Sequence, residues 1–584
     1  MTNQISKPNI TVTDCGNSAD VKIRLVEEID HTAVYKITAL YPGGAYPEKL
    51  SFKFNIPYIN IFSVWSPLGS GERTIRPNWE PGRSDSRLAY GAPVRTALSR
   101  SGANKITVAL SDPKTPASIS MGVCEEDVSL DVCIDIFTYP VAKTELYEAD
   151  LRIDMRDIFY CDAIRDVRRW WDNYGCKNAD VPEAAIHPMY STWYSFHQNL
   201  DTDKIVEQCR ISKEYGCKAV IIDDGWQTDD CSRGYAFCGD WQPAKKIGNM
   251  KSLTDRIHDL DMKVIVWYSV PFVGRNSKAW ERFQDCFLDD PTDKDFCVLD
   301  PRFPQVREYL ANLYIQAARD WGFDGFKLDF IDEFEFTDYS LRKSGDGRDY
   351  NSLEDAVEEL LRRTMEGLKQ INPDICIEFR QRYIGPVMQT YGNMLRVGDC
   401  PADVLGNRAG MVDLRLLSGS TAIHSDMLEW NYDDSPENAA MQLINILYSV
   451  PQISVLIDKL NSEHKKMLKH YTSFWCKYRD VLLGGTFNAY APWANYSLVS
   501  SEKDGTIIVT AYEDRLVELS GYHDKTILIN GTGTTGLMLC TQEKMTGKIC
   551  KIYDCMGDEC DSLVLGEETT VLLPIPASGM GVIQ

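Results

Sequence analysis

The pattern of apolar and polar positions divides the chain into parts with different periods. Up to about residue 150, short alternating runs such as 21–26 and 105–110 are separated by Gly, Pro, Asn and Asp, which predicts an antiparallel β-sandwich. After about residue 485 the helical spacing ends, and short strands return at 506–509, 525–528 and 571–573. This last part is therefore predicted to be a small antiparallel β domain.

Between these parts, apolar runs typical of buried strands alternate with amphipathic helices. The predicted strands cover 189–194, 219–222, 264–267, 324–329, 375–379, 394–397, 420–423 and 452–456. The predicted helices cover 201–215, 250–260, 304–320, 353–370, 437–447 and 463–480. Eight strand units in about 290 residues have the count and size of a closed (β/α)8 barrel. An open doubly wound sheet is the alternative, but no Gly-x-Gly-x-x-Gly turn follows the first strand.

The predicted domain organisation follows from these periods. A β-sandwich covers 1–150, and a helical linker covers 151–186. The barrel covers 187–482, and the C-terminal antiparallel β domain covers 483–584. The predicted fold class is thus a multidomain protein with a central TIM barrel flanked by two all-β domains.

Composition and charge restrict the partners. The chain is 44% apolar and has a formal charge of −23, which disfavours nucleic acid and anionic membranes because both attract basic surfaces. A small uncharged or cationic molecule fits better. The start of the sequence lacks the basic and apolar segments of an export signal, and no stretch approaches the roughly 20 apolar residues of a membrane span. We therefore expect a cytoplasmic protein, and the sequence leaves open whether it forms a homo-oligomer.

The cysteines give no sign of a metal site or a disulfide framework. All 18 are scattered, many of them within predicted strands and helices, which favours reduced and mostly buried thiols. The segments 231–238 and 550–560 contain several of them but lack the close paired spacing of zinc ligands. The sequence therefore predicts neither a metal ion nor a cofactor.

Polar residues gather at the predicted C-terminal ends of the barrel strands. These ends open onto one face of a barrel, so their side chains are candidate site residues. In chain order they are Trp193, Asp223, Asp224, Trp226, Trp267, Lys327, Asp329, Glu378, Arg380, Arg396 and Asp399. Tryptophan rings cover the apolar face of a sugar, and carboxylates accept hydrogen bonds from its hydroxyls. The set therefore indicates a carbohydrate substrate.

Asp329 and Asp399 are the two carboxyls that indicate a reaction. Glycoside hydrolysis needs such a pair, and in a retaining mechanism the two stand about 5 to 5.5 Å apart, one as nucleophile and the other as acid/base. Lys327, on the same strand face as Asp329, is expected to keep the nucleophile ionised. Asp399 has to be protonated at the start. Burial or the nearby Asp329 would raise its pKa, whereas Arg396 works against that.

Several short motifs occur in a fixed order along the barrel. They are Trp193, Asp223-Asp224-Gly225-Trp226, Gly239-Asp240-Trp241, Trp267, Val298-Leu299-Asp300-Pro301, Lys327-x-Asp329 and Arg396-x-x-Asp399. In this order they resemble the bacterial α-galactosidases of glycoside hydrolase family 36, over about half of the chain. The resemblance implies Asp329 as nucleophile and Asp399 as acid/base. It also implies sugar contacts for Asp223 and Asp224 with the 4- and 6-hydroxyls of galactose, for Lys327 with another hydroxyl, and for Trp193 and Trp267 as walls.

Two segments depart from the family pattern. Family members usually carry Cys and a Gly pair after the fifth strand, near the 2-position of the sugar, where this chain has Arg380-Gln381-Arg382-Tyr383. An Arg there would close that pocket, reach a hydroxyl or meet an anionic substituent. The second departure is the segment 398–403, which makes Asp403 a rival acid/base. We favour Asp399, since Asp403 is expected to cap the next helix.

These observations predict a retaining, exo-acting α-galactosidase whose partner is a small sugar. One alternative is an α-glycosidase for a modified glycone, such as N-acetylgalactosamine or a uronic acid. Another is a transglycosylase resembling raffinose synthase, which shares every catalytic group. A sugar-binding protein without catalysis is disfavoured because both carboxyls are present. His424 and Asp426, after the seventh strand, are further candidates for the pocket lining, but a hydrogen-bonded His at a barrel rim is more often structural.

Overall fold

The computed structural model describes residues 9–14, 19–69, 73–343 and 345–584. Its N-terminal part consists of strands β1 (Thr11–Asp14), β2 (Asp20–Ile29), β3 (Thr32–Ala45), β4 (Leu50–Pro57), β5 (Ser63–Trp65), β6 (Arg76–Pro77), β7 (Gly82–Ser86), β8 (Val94–Leu98), β9 (Asn104–Leu110), β10 (Ala117–Cys124), β11 (Ser129–Ile136) and β12 (Thr144–Asp154). One sheet has the order β1-β4-β11-β10-β6, with β7 also paired to β10, and the other has the order β2-β3-β12-β9-β8-β5.

The two N-terminal sheets share an apolar core. Ile37 on β3 and Ile106 on β9 come from one sheet, and Phe52 on β4 and Ile134 on β11 come from the other. All four side chains are fully buried. Alternation along each strand directs one set of side chains toward the facing sheet, which is the packing of a β-sandwich.

Helix α1 (Tyr160–Trp171) follows the sandwich. Its buried residues include Tyr160, Ile164, Val167 and Trp171, which recur at helical spacing as the sequence predicts. The Trp171 Nε1 donates a hydrogen bond of 2.8 Å to the carbonyl oxygen of Leu110 at the end of β9. The helix is thereby fixed against the sandwich.

The central part is a barrel of eight parallel strands. In chain order the strands, with a short hairpin of β16 and β17, are β13 (Met189–Ser191), β14 (Ala219–Ile222), β15 (Lys263–Ser269), β16 (Phe272–Gly274), β17 (Phe296–Val298), β18 (Gly325–Asp329), β19 (Cys376–Arg380), β20 (Met394–Arg396), β21 (Ala422–His424) and β22 (Gln452–Ile453). The helices are α2 (Trp193–Phe196), α3 (Thr202–Ser212), α4 (Met250–His258), α5 (Lys278–Phe283), α6 (Pro304–Trp321), α7 (Asp338–Arg342), α8 (Leu353–Ile371), α9 (Val404–Leu417), α10 (Pro436–Ile444) and α11 (Ser462–Gly484).

The barrel strands pair in the order β22-β13-β14-β15-β18-β19-β20-β21. Single parallel bridges, His424 with Val450 and Leu428 with Ile453, bring the two ends of this sheet together. The sheet is therefore a nearly closed (β/α)8 barrel, and its strand C-termini all face one mouth.

The barrel strands are buried on both faces. Phe326 and Leu328 on β18 belong to the large core that includes the helices. Ile265, Cys376 and Met394 form a separate cluster with inward residues of other strands. Because side chains alternate along a strand, the inward positions above this apolar floor are the ones that carry Lys327, Glu378 and Arg396.

The C-terminal part returns to β structure. Its strands are β23 (Thr486–Tyr490), β24 (Leu498–Lys503), β25 (Thr506–Ala511), β26 (Leu516–Leu519), β27 (Lys525–Asn530), β28 (Leu537–Thr541), β29 (Ile549–Tyr553), β30 (Glu559–Val564), β31 (Thr570–Leu573) and β32 (Met580–Ile583). They form a seven-stranded sheet, β23-β24-β25-β27-β32-β29-β30, and a three-stranded sheet, β26-β28-β31.

The predicted fold class is confirmed by this architecture, although some elements differ in length. The C-terminal part is not purely antiparallel as predicted, because β25 pairs with β27 and β26 with β28 in parallel. The strand expected over 189–194 ends at Ser191, because the backbone turns into α2 and the Phe196 N–H donates to the Thr192 carbonyl oxygen at 2.9 Å. Between β19 and β20, all of whose residues are described, the link contains short 3-10 turns in place of an α-helix. The exact boundaries of the four predicted domains stay a prediction. Among the helices described, none is both long and apolar enough to cross a membrane.

Candidate active site

Charged side chains occupy the barrel interior at the C-terminal ends of the strands. The strand register sets Trp267 beside Lys327, Lys327 beside Glu378, and Arg396 beside His424. Lys327 is 5% exposed, and Glu378 and Arg396 are each 1% exposed. Buried charges are costly unless they are paired, so the partners of these groups define the site.

Asp329 ends β18 with its carboxylate fixed from several directions. The Trp267 Nε1 donates to Oδ2 at 3.0 Å, and the backbone N–H of Phe330 donates to Oδ1 at 2.9 Å. The Tyr383 hydroxyl donates to Oδ1 at 3.5 Å. The Arg380 Nε lies 3.0 Å from Oδ1 in an ion pair. The carboxylate of the predicted nucleophile is therefore both oriented and charge-balanced by the protein.

Lys327 makes its close ion pair with a different carboxylate from the one expected. Its Nζ donates to Oδ2 of Asp223 at 2.6 Å. Burial lowers the pKa of Lys327, but the carboxylates of Asp223, Asp329 and Glu378 together outweigh it, and the pKa is raised overall. Lys327 and Asp329 attract each other as expected, but the close ion pair of Asp329 is with Arg380.

Asp223 and Asp224, directly after β14, are 2% and 5% exposed. The Asp224 N–H donates to Oδ1 of Asp223 at 2.9 Å. The side-chain amides of Gln198 and Gln227 each donate to an oxygen of Asp224 at 2.7 Å. Burial raises the pKa of Asp224, while these amides act in the opposite direction. Both carboxyl groups are therefore held rigidly at the barrel mouth.

The three tryptophans predicted to contact a substrate lie in different surroundings. Trp193, at the start of α2, is partly exposed, and the Arg233 Cζ lies 5.1 Å from its ring centroid. Trp267 is 2% exposed and bonded to Asp329. Trp226 is fully buried, and its Nε1 donates to the carbonyl oxygen of Trp267 at 2.8 Å. Trp226 therefore supports this wall from behind, which corrects its predicted contact with substrate.

Arg380 and Arg382 extend from the end of β19 over Asp332. The Arg380 Nη2 donates to one oxygen of Asp332 at 3.4 Å, and the Arg382 Nη1 donates to the other at 3.2 Å. The Arg380 guanidinium also stacks 4.6 Å from the centroid of the Phe330 ring. Arg380 is thus wedged between two carboxylates and a ring, whereas the side chain of Arg382 is 56% exposed.

Arg396 lies at the centre of a network of acids. Its Nη2 donates to Oδ1 of Asp399 at 2.8 Å, and its Nη1 donates to Asp426. Its Nε lies 3.8 Å from Oε1 of Glu378. Burial works against its charge, but these carboxylates raise the pKa of Arg396 well above its usual value. Because the guanidinium is enclosed by protein, the predicted direct contact of Arg396 with substrate is corrected to a positioning role.

Asp426 anchors the segment that follows β20. Its Oδ2 accepts hydrogen bonds from the Cys400 N–H at 2.7 Å and from the Tyr194 hydroxyl at 2.9 Å. Burial raises the pKa of Asp426, although Arg396 opposes the shift. His424 is fully buried, with Nε2 2.8 Å from a backbone carbonyl oxygen, and burial lowers its pKa to about 4. These contacts agree with a structural interpretation of both residues.

Asp399 is the most accessible of these acids, with its side chain 54% exposed. Arg396 lowers the pKa of Asp399 well below its usual value, and Lys327 adds to the effect, while partial burial opposes it. The expected rise in the pKa is therefore wrong, because the ion pair outweighs burial. The neighbouring Asp403 accepts from the N–H groups of Leu405 and Gly406, both at 3.0 Å, which confirms its expected helix cap.

A cavity of about 760 Å³ opens at the barrel mouth, and Glu333, Arg380, Arg382, Asp399 and Asp403 are in its lining. Burial, with the neighbouring acids Asp332 and Glu335, raises the pKa of Glu333. The volume lies within the range of sites for small ligands. Within the described ranges, no group of three or more His, Cys, Asp and Glu side chains is arranged to hold a metal ion.

The N-terminal sandwich also contributes to the mouth, which the sequence did not indicate. The Arg87 Nη2 donates to the Asp332 carbonyl oxygen at 2.8 Å and forms an ion pair with Glu335. The Gly91 N–H donates to the Arg382 carbonyl oxygen at 2.8 Å. Arg87 and Asp332 are 245 positions apart, so no local spacing links them. Gln198 was likewise missed, although its place just after the first strand end is a usable signal.

The chain matches a known family over the first five strands of the barrel. Residues 182–378 match the family model described as Melibiase. A curated relative, "A type blood alpha-D-galactosamine galactosaminidase" of Flavonifractor plautii, is 24% identical over 194 residues, covering 30% of this chain and 17% of that protein. "Alpha-galactosidase AgaA" of Geobacillus stearothermophilus is 27% identical over 107 residues, covering 18% of this chain and 14% of that protein. The matches thus span less than a fifth of the length of either relative.

Solved structures resemble the chain over nearly all of its length. The crystal structure of the GH36 α-galactosidase AgaA from Geobacillus stearothermophilus has a TM-score of 0.67 and 14% identity, covering 97% of this chain and 81% of that chain. A complex of a doubly substituted variant of this enzyme with raffinose has a TM-score of 0.65 and 13% identity, covering 99% of this chain and 87% of that chain. The resemblance found in the sequence is therefore confirmed: residues 182–378 match the Melibiase family model, and the chain has the fold of the GH36 α-galactosidases.

Proposed function

We propose that this protein is an α-galactosidase that removes terminal α-linked galactose from small oligosaccharides by a retaining double displacement. The main support is the arrangement at the barrel mouth, where Asp329 is oriented by Trp267 and the accessible Asp399 lines a cavity together with Arg380, the ion-pair partner of Asp329. The names of the relatives point to the same class of reaction. The exo mode, the retained configuration and the roles of the residues are all part of this proposal.

In the proposed first step, a carboxylate oxygen of Asp329 attacks the anomeric carbon, and the bond from that carbon to the leaving oxygen breaks. The donors on both oxygens, Trp267 Nε1 and the Phe330 N–H, orient the nucleophile. Arg380 balances its charge. A fixed carboxylate avoids the entropic cost of finding the attacking geometry. The product of this step is a galactosyl ester of Asp329.

Asp399 is the proposed acid/base. It donates its proton to the leaving oxygen and then removes a proton from the water that attacks the galactosyl ester. The ion pair with Arg396 favours its ionised form, which suits the second step. For the first step, the Arg396 guanidinium has to release Asp399. Asp426 is positioned to hold the guanidinium, because Arg396 is already hydrogen-bonded to both carboxylates. The predicted separation of the Asp329 and Asp399 carboxyl oxygens is about 5 to 5.5 Å.

The remaining polar groups are proposed to bind the sugar. Asp223, Asp224 and Lys327 form a bonded set at the strand ends, and each retains lone pairs or protons for hydroxyl groups. Trp193 and Trp267 offer ring surfaces for the apolar face of galactose. This set carries hydrogen-bonding groups on one side and rings on the other, as a hexose requires.

A second candidate is an α-glycosidase for a glycone with an acidic substituent. It is favoured by Arg380 and Arg382, which line the cavity beside the nucleophile. Guanidinium groups bind carboxylate and sulfate in a bidentate geometry. An acidic group would compete with Asp329 and Asp332 for these cations. If this second candidate is right, the enzyme prefers a substrate with a carboxylate on the glycone over a galactoside.

The deciding experiment is a panel of 4-nitrophenyl α-glycosides, comprising galactoside, N-acetylgalactosaminide, galacturonide and glucoside, with the Asp329→Asn variant as a control for contaminating activity. The galactoside is expected to have the highest kcat/KM. Proton NMR of the first product should detect α-galactose before mutarotation. Release of β-galactose first would rule out retention, and a preference for the galacturonide would support the second candidate. Added raffinose or sucrose as acceptor tests for transglycosylation.

A further inference from the structure

A second cavity lies between α11 and the seven-stranded C-terminal sheet, outside the barrel mouth. Its volume is about 590 Å³, which suits a drug-sized or nucleotide-sized ligand. One wall is a face of α11, and the other is formed by the ends of β27, β29 and β32. The cavity therefore joins the last helix of the barrel to the C-terminal β structure, a type of junction where ligand sites are common.

Lysine side chains dominate the charge around this cavity. Lys466, Lys469, Lys477, Lys525 and Lys551 are all in its lining, in a chain whose formal charge is −23. Such a concentration of one sign in an oppositely charged protein produces a local field that attracts anions.

Only some of these ammonium groups are neutralised by the protein. The Lys466 Nζ pairs with Asp558 at 2.5 Å, and the Lys551 Nζ pairs with Glu559 at 3.0 Å. Within the described part of the chain, Lys477 and Lys525 make no ion pair, and the Lys469 Nζ donates to a backbone carbonyl oxygen. At least two full positive charges therefore remain available to a ligand.

The floor of the cavity is apolar and aromatic. Phe474 and Tyr478 on α11 have ring centroids 5.0 Å apart, and Tyr553 and Met580 line the sheet side. The Lys477 Nζ lies 5.1 Å from the Tyr478 ring centroid. Rings and thioethers of this kind pack against a planar ligand. The cavity thus combines an apolar floor with a cationic rim.

His470 adds a buried polar atom to the lining. Its ring is pressed against Gly557, where a Cβ would lie 2.3 Å from the His470 Nδ1. Gly557 has φ +85° and no side chain, which permits this approach. The His470 Nε2 is buried without a hydrogen-bond partner in the described structure. A buried unpaired group of this kind is costly.

We propose that this cavity binds a small planar aromatic molecule carrying at least two negative charges, of about the size of a nucleoside diphosphate. The aromatic part packs on the floor, and the anionic part meets Lys477 and Lys525 at the rim. A neutral sugar would leave the ammonium groups unpaired, and an inorganic anion would leave the floor exposed. The site is independent of the proposed glycosidase activity, because it shares no residue with the barrel mouth.

The test uses isothermal titration calorimetry on the full chain with three probes: ADP, adenosine and pyrophosphate. ADP is expected to bind saturably, with adenosine and pyrophosphate each at least about tenfold weaker because each supplies only one half of the recognition. Raising the NaCl concentration from about 50 mM to about 500 mM should weaken ADP binding, since exposed charges are screened. Saturable ADP binding should also raise the thermal unfolding midpoint.

The variant pair Lys477→Ala with Lys525→Ala is expected to weaken ADP binding at least about tenfold. The matched control pair is Lys369→Ala with Lys544→Ala, which removes the same charge from exposed positions outside the cavity. The control should change ADP binding less than about twofold. The proposal is overturned if wild-type protein does not bind ADP saturably, if pyrophosphate binds as tightly as ADP, or if both pairs have equal effects. Hydrolysis of 4-nitrophenyl α-galactoside, measured in parallel, tests the proposed function separately.

Discussion

The Arg380 Nε lies 3.0 Å from the Oδ1 of Asp329, so a guanidinium from β19 covers the carboxylate at the end of β18. The same guanidinium reaches Asp332 and stacks on Phe330. Both acids are buried, and an unpaired cation in this position would be costly. A substrate that reaches Asp329 therefore has to fit beside Arg380 or displace it. The side chain at this position is expected to select the glycone.

Replacing Arg380 by Met should change the discrimination between neutral and acidic sugars. A guanidinium–carboxylate contact with a sugar acid contributes about 1.5 to 3 kcal/mol. If Arg380 is within reach of the glycone, its loss should weaken competitive inhibition by galacturonic acid, relative to galactose, by about tenfold or more. The measurement is the ratio of the two inhibition constants in wild type and variant.

The control for that variant is Arg382→Met. Arg382 also bonds to Asp332 but is half exposed, so its loss should alter the ratio less than about threefold. Equal changes in the two variants would mean that the overall positive charge of the cavity, and not a contact with the glycone, determines the preference between neutral and acidic sugars. An unchanged ratio in both variants would remove the argument for an acidic glycone.

Asp329→Ala should reduce turnover of 4-nitrophenyl α-galactoside by about 10³-fold or more, because it removes the proposed attacking oxygen. Sodium azide should restore part of the activity by attacking in its place, with galactosyl azide of inverted configuration as product. The control is Asp332→Asn, which changes a neighbouring buried acid that does not attack. Loss without rescue would mean that Asp329 acts only in structure or binding.

Asp399→Ala and Asp403→Ala separate the proposed acid/base from the helix cap. Without a proton donor, melibiose should lose far more kcat/KM than 4-nitrophenyl α-galactoside, whose leaving group needs no protonation. We expect the difference to exceed about 10²-fold for Asp399→Ala. Asp403→Ala should cost about 1 kcal/mol of stability as a lost cap, with equal effects on both substrates. The reverse pattern would assign the acid/base role to Asp403.

Much of the fold follows from periodicity in the sequence. The helix predicted over 304–320 is found at Pro304–Trp321, and the strand over 219–222 is found at Ala219–Ile222. Both predictions depend on local patterns: the helix on an apolar stripe at helical spacing, and the strand on a short apolar run. The strand predicted over 189–194 was too long, since Trp193 looks equally suited to a strand and to the first turn of a helix. Local patterns therefore located the strand ends, to which the candidate residues belong.

The sequence does not show which charged side chains form ion pairs with one another. Lys327 stands two positions from Asp329, yet it pairs with Asp223, and Asp329 is paired with Arg380. Arg380 comes from the neighbouring strand β19, but Asp223 follows β14, which β15 separates from β18. The order of the strands around the barrel therefore sets these pairs. Trp226 is predicted to contact the sugar because it lies at a strand end, but one residue of shift along a strand end separates a pocket wall from the core. Which side of a strand end a side chain occupies depends on packing between distant parts of the chain. The spacing of residues along the sequence does not show this packing.

Asp426→Asn should shift the pH dependence of the glycosidase. Asp399 and Asp426 share Arg396, and the negative charge of Asp399 raises the pKa of Asp426. Without the charge of Asp426, the Arg396 guanidinium should interact more strongly with Asp399. The pKa of Asp399 should therefore fall further. Since the first step needs protonated Asp399, the decline of kcat/KM with rising pH should begin at lower pH than in wild type.

The pH profile should be measured with melibiose and with 4-nitrophenyl α-galactoside. Only melibiose should show the shifted limb, because only its leaving group needs the proton. Glu429→Gln is a suitable control, because the charge of Asp426 raises the pKa of Glu429 but Glu429 makes no bond to Arg396. A profile shifted equally for both substrates would indicate that Asp426 acts on the nucleophile step. An unshifted profile with reduced kcat would leave Asp426 a purely structural role.

Asp413 on α9 connects all three parts of the described chain. The Arg73 Nη2 donates to both of its oxygens at 2.7 Å, and the Trp65 Nε1 donates to Oδ1 at 2.9 Å. The Tyr496 hydroxyl, which precedes β24, also donates to Asp413. The carboxyl group is fully buried. Its removal would leave the Arg73 guanidinium, 5% exposed, without a counter-charge.

Asp413→Ala should therefore destabilise the fold strongly, by about 3 to 5 kcal/mol, because breaking a buried pair leaves one charge uncompensated. The double variant Asp413→Leu with Arg73→Met should be less damaged than Asp413→Ala, since it removes both charges and keeps apolar volume. The measurement is the thermal unfolding midpoint, with exposed Asp162→Ala as the control. If Asp413→Ala unfolds at the wild-type temperature, or the double variant is worse than the single one, this pair is not what holds the three parts together.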